Sequence, residues 1–377
     1  MIENHARPPF AQAKRIVIKL GTRVLTDSNG ELAAVRLHGL MNQIAALRSG
    51  GTEVLLVSSG AVGLGATRLG MDTPIQGIAD RQAAAAVGQS QLMALYAQGF
   101  QALGVEVGQV LLTHADFEDR TRYLNIRNTF LSLLRNGALP IINENDAVSI
   151  AELQDMGVTE PVFGDNDKLS AVVASKLGAD LLILLTDVPG LYNKDPSQHT
   201  DATLITCVQD QHFEASKPNS SVGRGGMRTK VEAAHIAVRA GCHAIIASGI
   251  ESDELEGICN GEERGSWFPA RTGMSAKHRW IAWGSPAKGI LQLDSGAIQA
   301  LQDRGASLLA KGVLSVEGSF GRGDVVELRS EANEVVGRGM ISCDAQAATA
   351  WVAGTAPAAA RNHHALVHRD HLVLETS

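Results

Sequence analysis

Short, almost wholly apolar runs alternate with amphipathic stretches over roughly the first 250 residues. The apolar runs are typical of β-strands and fall at 15–20, 53–58, 106–113, 139–143, 181–186 and 242–248. Between them apolar residues recur every three or four positions, as at Leu37, Leu40 and Ile44, which predicts helices. Strands that are apolar on both faces are typical of a sheet covered by helices on each side. The predicted fold class is therefore α/β, a three-layer sandwich with a largely parallel sheet.

The pattern changes from about Gly284, where glycines become frequent and the helical spacing is lost. Short strand-like runs follow at 288–293, 312–316, 324–328 and 365–373. They predict a second, small β-rich domain. The predicted boundaries are an N-terminal extension over 1–14, a first domain over 15–275, a linker over 276–285 and the β-rich domain over 286–377. The Ala-rich patch 345–360 favours a helix followed by a loop.

Composition narrows the classes of protein. The chain of 377 residues, with 45% hydrophobic and 19% charged residues, is typical of a globular protein with ample core. A net charge of -7 and an aromatic content of 4% disfavour a general nucleic-acid binder. No apolar run reaches membrane-spanning length, and the first fifteen residues lack the apolar stretch of a signal peptide. Four dispersed cysteines without a CxxC pair indicate neither a zinc site nor a disulfide framework, and in the cytoplasm, where we expect this protein, they would be reduced core thiols.

Three segments suggest that the protein handles phosphate. RIVIKLGTRVLT places Lys19 at the end of a buried strand, where a charge is costly unless an anion meets it. VSSGAVGLG, which ends at Gly65, and GRGGMRTK, which ends at Lys230, are glycine-rich turns that let backbone N–H groups approach an anion. A strand-to-helix turn alone also explains the small residues of the first turn. Lys230 opens a predicted helix against the helix dipole, which favours a bound phosphate over a solvated lysine.

Two polar clusters follow predicted strands, NEND at Asn143–Asp146 and GDND at Gly164–Asp167. Such side chains bind an ammonium group, a hydrated Mg²⁺ ion or a lysine. Helix capping by Asp165 or Asn166 accounts for only one of them, so the clusters favour a functional site. A third segment, TDVPGLYNKDP, forms a Pro-Gly turn whose Tyr192 and Asp195 can border a nucleotide. The histidines lack metal-ligand spacing and are assigned to the surface or to packing.

With these motifs in place, the chain resembles the bacterial glutamate 5-kinases, members of the amino acid kinase family with a C-terminal PUA-like domain. The resemblance covers almost the whole chain. It rests on IKLGTRVLT, VSSGAVGLG, AAVGQSQLMALY, QVLLTHADFEDRTRYLNIRNT, INENDAV, FGDNDKLSA, LLTDVPGLYNKDP, GGMRTK and WFPAR, and on KGVLSVEGSFGRGDVV and VHRDHLV in the tail. It implies ATP-dependent phosphorylation of the γ-carboxylate of L-glutamate, the first step of proline biosynthesis.

The resemblance also implies roles for individual residues. The implied catalytic residues are Lys19, Lys230 and Asp167, with Asp167 orienting the two lysines. The implied substrate-binding residues are Ser59, Gly60, Asn143, Asp146, Asp165 and Asn166. The implied ATP-binding residues are Lys19, Thr186, Asp187, Gly225, Gly226, Met227, Arg228, Thr229 and Lys230. Mg²⁺ would bind through the ATP phosphates with no direct protein ligand, proline would inhibit by feedback, and the chain would form a homo-oligomer, a dimer or tetramer.

Two features depart from the family pattern. The segment between Asp146 and Gly164 is longer, with an extra region at 154–161, and Arg224 replaces a small hydroxyl residue. Among rival substrates, N-acetylglutamate lacks the ammonium group that the polar cluster around Asp146 suits. Aspartokinase and UMP kinase are disfavoured by the N-terminal motif and by the C-terminal extension, respectively. The tail, 286–377, has 8 basic and 10 acidic residues, so a structural or regulatory role is favoured over RNA binding.

Overall fold

A computed structural model describes residues 7–27, 31–72, 75–148, 166–208, 226–270, 281, 287–355 and 365–374. The chain divides into two compact units, Met1–Thr272 and Gly273–Ser377. The linker predicted at 276–285 lies outside the described residues, apart from Ile281. Segment 154–161, Asp165, Arg224 and Gly225 also lie outside them.

The described part of the first unit is built on a seven-stranded sheet with the strand order β3-β4-β2-β1-β5-β6-β7. The strands are β1 (Arg15–Leu20), β2 (Glu53–Ser58), β3 (Val107–Leu112), β4 (Leu139–Glu144), β5 (Leu181–Thr186), β6 (His243–Ser248) and β7 (Ser266–Phe268). Strands β1 to β6 pair in parallel, whereas β7 is antiparallel to β6. The predicted parallel sheet is therefore confirmed, and its apolar runs are strands because both faces are buried.

Helices cover this sheet and bury its apolar side chains. They are α1 (Thr22–Leu25), α2 (Ala34–Ser49), α3 (Ala61–Leu69), α4 (Ile78–Gln101), α5 (Ala115–Glu118), α6 (Arg120–Arg135), α7 (Asn166–Leu177), α8 (Gly226–Arg239) and α9 (Glu254–Cys259). In α4, the fully buried Tyr96 and Phe100 stack with ring centroids 6.2 Å apart. Aromatic burial of this kind anchors the helix layer to the strands.

Two glycines allow α3 and α4 to touch through their backbones. A Cβ on Gly65 would lie 1.8 Å from the carbonyl oxygen of Ala84. A Cβ on Gly88 would lie 1.7 Å from the carbonyl oxygen of Ala61. Any larger residue must force the two helices apart, so glycine fixes the position of α4 beside the start of α3.

The second unit contains a six-stranded sheet within the described residues, in the order β10-β8-β11-β12-β13-β9. The strands are β8 (Gly289–Leu293), β9 (Leu308–Leu309), β10 (Val313–Gly318), β11 (Val325–Arg329), β12 (Val335–Ile341) and β13 (Ala365–Leu374), with helices α10 (Ser295–Arg304) and α11 (Ala345–Val352). The sequence missed β12 because glycines interrupt its apolar pattern. A Cβ on Gly337 would lie 2.4 Å from the carbonyl oxygen of Val373, so the close strand contact requires glycine there. No helix in the described ranges has the length and apolarity to span a membrane.

Candidate active site

A cluster of buried charges joins β1 to the first turns of α7 and α8. The ammonium nitrogen Nζ of Lys19 lies 2.5 Å from Oδ1 of Asp167, and Nζ of Lys230 lies 3.0 Å from Oδ2 of the same carboxylate. Lys19 is 3% exposed, Asp167 0% and Lys230 9%. We call these three residues the lysine cluster. The fold thus brings together the three predicted catalytic residues, which lie more than sixty positions apart in the sequence.

The lysine cluster holds two cations and one anion. Burial by itself raises the pKa of Asp167, but the attraction of Lys19 and Lys230 outweighs it and keeps that pKa below its ordinary value. Asp167 also accepts a hydrogen bond from the hydroxyl of Thr229 at 3.0 Å. Because the carboxylate stays ionised, the cluster carries one uncompensated positive charge, and such a charge in a poorly solvated position favours an anionic ligand.

This cluster forms part of the wall of a cavity of about 700 Å³. The predicted ATP-binding residues that line it are Lys19, Thr186, Asp187, Gly226, Met227 and Lys230. Tyr192, Asp195 and Ser59 line the same cavity. Its volume lies within the range of about 300–1,000 Å³ that is usual for small-molecule sites. It opens where the parallel strands end, the position at which α/β sheets bind ligands.

Two predicted ATP-binding side chains have other partners. Nε of Arg228 pairs with Oε1 of Glu232 at 2.8 Å, one helical turn further along α8. The hydroxyl of Thr229 is shared between Asp167 and the carbonyl oxygen of Gly226. Neither residue lines the large cavity. The side chain of Arg228 is therefore engaged along α8, and that of Thr229 is engaged by the lysine cluster.

Predicted substrate-binding residues form a second, uncharged group. Nδ2 of Asn166 donates to Oγ of Ser59 at 3.1 Å and to Oδ1 of Asn143 at 3.0 Å. Nδ2 of Asn143 in turn donates to Oε1 of Gln89 at 2.8 Å. We call Ser59, Asn166, Asn143 and Gln89 the amide network. It begins next to Asp167 and ends on α4.

Two other predicted residues lie at the borders of this network. Gly60 has a φ of +99°, which favours glycine, and turns the chain from β2 into α3 directly after Ser59. Asp146 lines a smaller cavity of about 220 Å³ together with Gln89 and Glu144. Within the described residues, the candidate site therefore has two compartments, with the lysine cluster facing the larger one and Asp146 the smaller one.

Sequence reasoning missed two residues at the site. Arg23 lines the large cavity and forms an ion pair with Asp187, Nη1 to Oδ2, at 2.8 Å. Gln89 completes the amide network. Arg23 lies in α1, four residues after Lys19 and within the motif RIVIKLGTRVLT, so its place in that motif could have identified it. Gln89 lies in AAVGQSQLMALY, one of the motifs that carry the resemblance, but nothing singled it out there, because a single glutamine in a long helix is usually a surface residue.

Buried lysines beside a cavity at the ends of parallel strands are typical of a phosphotransferase, which must stabilise the charge of a transferring phosphoryl group. A family model described as the amino acid kinase family matches residues 14–248, and a PUA domain model matches residues 289–358. A curated glutamate 5-kinase from Moorella thermoacetica is 39% identical and covers 99% of this chain and 100% of its own length. Relatives of the same name from Bradyrhizobium diazoefficiens (42% identical, covering 98% of this chain and 99% of that protein) and Deinococcus radiodurans (46%, 86% and 89%) are similar along most of the chain. The chain therefore belongs to the amino acid kinase family and, within it, to the glutamate 5-kinases with a PUA domain.

Proposed function

We propose that this protein transfers the γ-phosphoryl group of ATP to the γ-carboxylate of L-glutamate and forms L-glutamyl 5-phosphate for proline synthesis. The observation that carries the proposal is the lysine cluster, in which Asp167 holds two buried ammonium groups beside a cavity of nucleotide size. The full-length similarity to glutamate 5-kinases supports the choice of substrate.

The reaction suits a site of this kind. The acceptor carboxylate is already ionised near pH 7, so it needs no strong general base. Its oxygen attacks the γ-phosphorus, the bond to the β,γ-bridging oxygen breaks, and ADP leaves with the electron pair. Lys19 and Lys230 would stabilise the negative charge on the transferring group, and Asp167 would fix the two ammonium groups at a set distance. Catalysis then depends on alignment and charge neutralisation.

The large cavity is the proposed ATP site. Thr186, Asp187, Gly226 and Met227 would contact the nucleotide, with Tyr192 and Asp195 beside the base and ribose. Arg228 and Thr229 would contribute through the backbone N–H groups of the first turn of α8, which have no partner within a helix. Gly225 precedes that turn in the sequence, and we retain its predicted role.

Mg²⁺ would enter this site with the ATP phosphates. Both oxygens of Asp167 are already engaged by lysines. Phosphate oxygens and water would hold the ion, as its preference for oxygen ligands and retained water allows. When bound, it would neutralise charge on the β- and γ-phosphates.

The amide network is the proposed glutamate site. Asn143, Asn166 and Ser59 would orient the substrate, and Asp146 would bind its ammonium group. Asp165 directly precedes Asn166 in the sequence, and we retain its predicted role in substrate binding. An N-acetylated substrate would lack the cation and leave Asp146 without its counter-charge.

Several finer points are also part of the proposal, and two of them, the feedback inhibition and the oligomeric state, rest on the resemblance. The points are a cytoplasmic location, feedback inhibition by proline, a homo-oligomeric state, and the domain boundaries at 15–275 and 286–377. Titration of the glutamate kinase rate with proline tests the feedback inhibition. Light scattering of the purified chain tests the oligomeric state. The C-terminal unit is assigned a structural or regulatory role.

The proposal is tested by measuring ATP turnover with L-glutamate, N-acetylglutamate and L-aspartate while hydroxylamine traps the acyl phosphate. We expect a hydroxamate with L-glutamate alone and its loss in Lys230→Ala. Lys311→Ala, an exposed lysine of the second unit, is the matched control and should retain full activity. Turnover of N-acetylglutamate instead would contradict the role of Asp146, and no turnover of any substrate would reject the kinase proposal.

A further inference from the structure

A backbone hydrogen bond sets the direction of the whole amide network. The N–H of Glu144 donates to Oδ1 of Asn143 at 2.9 Å. A backbone N–H can only donate, so the oxygen of this amide must face it and Nδ2 must face Gln89. Gln89 must then offer its oxygen, Oε1, to Asn143, and its amide nitrogen points elsewhere.

Both ends of the network are left with an unused polar atom. Nε2 of Gln89 and Oδ1 of Asn166 are buried and have no hydrogen-bond partner among the described residues. A buried polar atom without a partner is costly, so such an atom in a site usually meets a ligand. The two atoms have opposite character, since Nε2 donates and Oδ1 accepts. A free amino acid carries both complementary groups, a carboxylate and an ammonium.

The helix that carries Gln89 cannot easily shift. Its neighbour Gly88 lies against the backbone of α3, where even a Cβ would overlap the carbonyl oxygen of Ala61. The same α3 begins directly after Ser59 and Gly60. Gln89 is therefore held in register with the other end of the network, and a rigid position of this kind is what substrate recognition requires.

We propose that Nε2 of Gln89 donates a hydrogen bond to the α-carboxylate of the amino acid substrate and selects for a free carboxylate there. This inference rests on the proposed function and deepens it. The reacting γ-carboxylate must lie near Lys19 and Lys230, on the cavity that Ser59 lines. Gln89 stands at the opposite end of the network and lines the smaller cavity with Asp146. It therefore meets the carboxylate that does not react, while Asp146 and Oδ1 of Asn166 suit the ammonium group.

The test compares L-glutamate with L-isoglutamine, whose α-carboxylate is replaced by a carboxamide, in the full-length chain. For Gln89→Ala we expect kcat/KM on L-glutamate to fall about 10- to 100-fold, mainly through KM, as for the loss of a hydrogen bond to a charged group. For Gln89→Glu, Oε1 still accepts from Asn143, but the other oxygen now repels a carboxylate and accepts from a carboxamide. The preference for L-glutamate over L-isoglutamine should then fall at least about tenfold relative to the unmodified protein. If L-isoglutamine is not phosphorylated, its inhibition constant against L-glutamate gives the same comparison.

Gln98→Glu is the matched control, because it adds the same charge to an exposed position of the same helix and should change neither value. Melting temperatures of all variants show that the fold is retained. An unchanged KM in both Gln89 variants would overturn the inference. Equal losses for the two substrates would also overturn it, since they would mean that Gln89 acts only by positioning Asn143. Failure of the unmodified protein to phosphorylate L-glutamate would instead reject the proposed function, and it would be seen before any variant is compared.

Discussion

The lysine cluster and the amide network are neighbours, yet their buried polar atoms are satisfied in different ways. In the lysine cluster, both oxygens of Asp167 are paired with ammonium groups, and a net positive charge is left over. In the amide network every group is uncharged, and the two ends keep an unused donor and an unused acceptor among the described residues. Asn166 and Asp167 are adjacent in the sequence but serve different groups, because consecutive residues of a helix point in different directions.

This difference separates chemistry from recognition. Fixed charges act at long range and stabilise a transferring phosphoryl group wherever its charge is spread. Amides act only at hydrogen-bond distance, so they select a substrate whose donors and acceptors are in matching positions. We therefore expect changes in the lysine cluster to lower kcat and changes in the amide network to raise KM for L-glutamate. The predictions below test that division, from the largest expected effect to the smallest.

Asp167→Asn should have the largest effect. The substitution keeps the shape of the side chain but leaves Lys19 and Lys230 as two like charges in a buried position. We expect kcat to fall by a factor of about 1,000 or more, because two preorganised groups are displaced together. The kinase rate with L-glutamate is the measurement. Asp370→Asn, in an exposed ion pair with Arg369 in the second unit, is the isosteric control and should retain the full rate.

Lys230→Met should lower kcat with little change in substrate binding. Methionine keeps most of the length and apolar volume of the lysine but removes its charge. We expect kcat to fall by about 100- to 1,000-fold, the usual effect of losing one group that stabilises the transition state. The dissociation constant of L-glutamate, measured by calorimetry, should change less than about threefold. A large loss of glutamate binding would mean that Lys230 takes part in substrate recognition. It would contradict the proposed division between a lysine cluster that acts on kcat and an amide network that acts on KM.

Asn143→Ala should show the opposite pattern. It removes the link between Gln89 and Asn166, and the N–H of Glu144 loses its acceptor. We expect KM for L-glutamate to rise about tenfold or more, while kcat falls less. The reason is that the lost contact stabilises the bound substrate and the transition state to a similar extent. KM for ATP should stay near its original value because Asn143 does not line the large cavity. A change in KM for ATP as large as that for L-glutamate would contradict this separation.

Acid stability should also distinguish the two groups. The pKa of Asp167 in the folded protein lies below its ordinary value of 3.8, so the unfolded chain binds the proton more readily. The carboxylate therefore stabilises the fold above that ordinary value, and this contribution is lost as the pH falls through the folded pKa. Urea unfolding between pH 7 and pH 3 should show a smaller acid-induced loss of unfolding free energy in Asp167→Asn than in the unmodified protein. Equal losses would show that Asp167 does not contribute. Asn143→Ala should keep the acid dependence of the unmodified protein, because the amide does not ionise.

Much of this account was predictable from local patterns. Apolar runs identified the first six strands of the sheet to within about one residue, because a strand that is buried on both faces is a continuous apolar run and is easily recognised in the sequence. The three-residue strand β7 was missed, since its segment is too short for a pattern and depends on pairing with β6. The candidate residues Lys19, Asp167 and Lys230 were identified from charges and glycines placed at predicted strand or helix ends.

The remaining features depend on contacts between distant parts of the chain. Nothing near Gln89 in the sequence shows that its nitrogen is buried, because that follows from the packing of α4 on α3. The division into two cavities has the same origin. The Arg228 side chain, by contrast, was predictable, since Glu232 lies four residues later on the same helix and pairs with it.

The most direct test is a double-mutant cycle of Lys230→Met and Asn143→Ala, with kcat/KM for L-glutamate measured in the single and double variants. Groups with separate roles and no shared partner give additive changes in free energy. The account predicts that the two fold-losses multiply to within about a factor of three, with the lysine loss in kcat and the asparagine loss in KM. A double variant no slower than Lys230→Met alone would contradict it, because the two residues would then act as one unit.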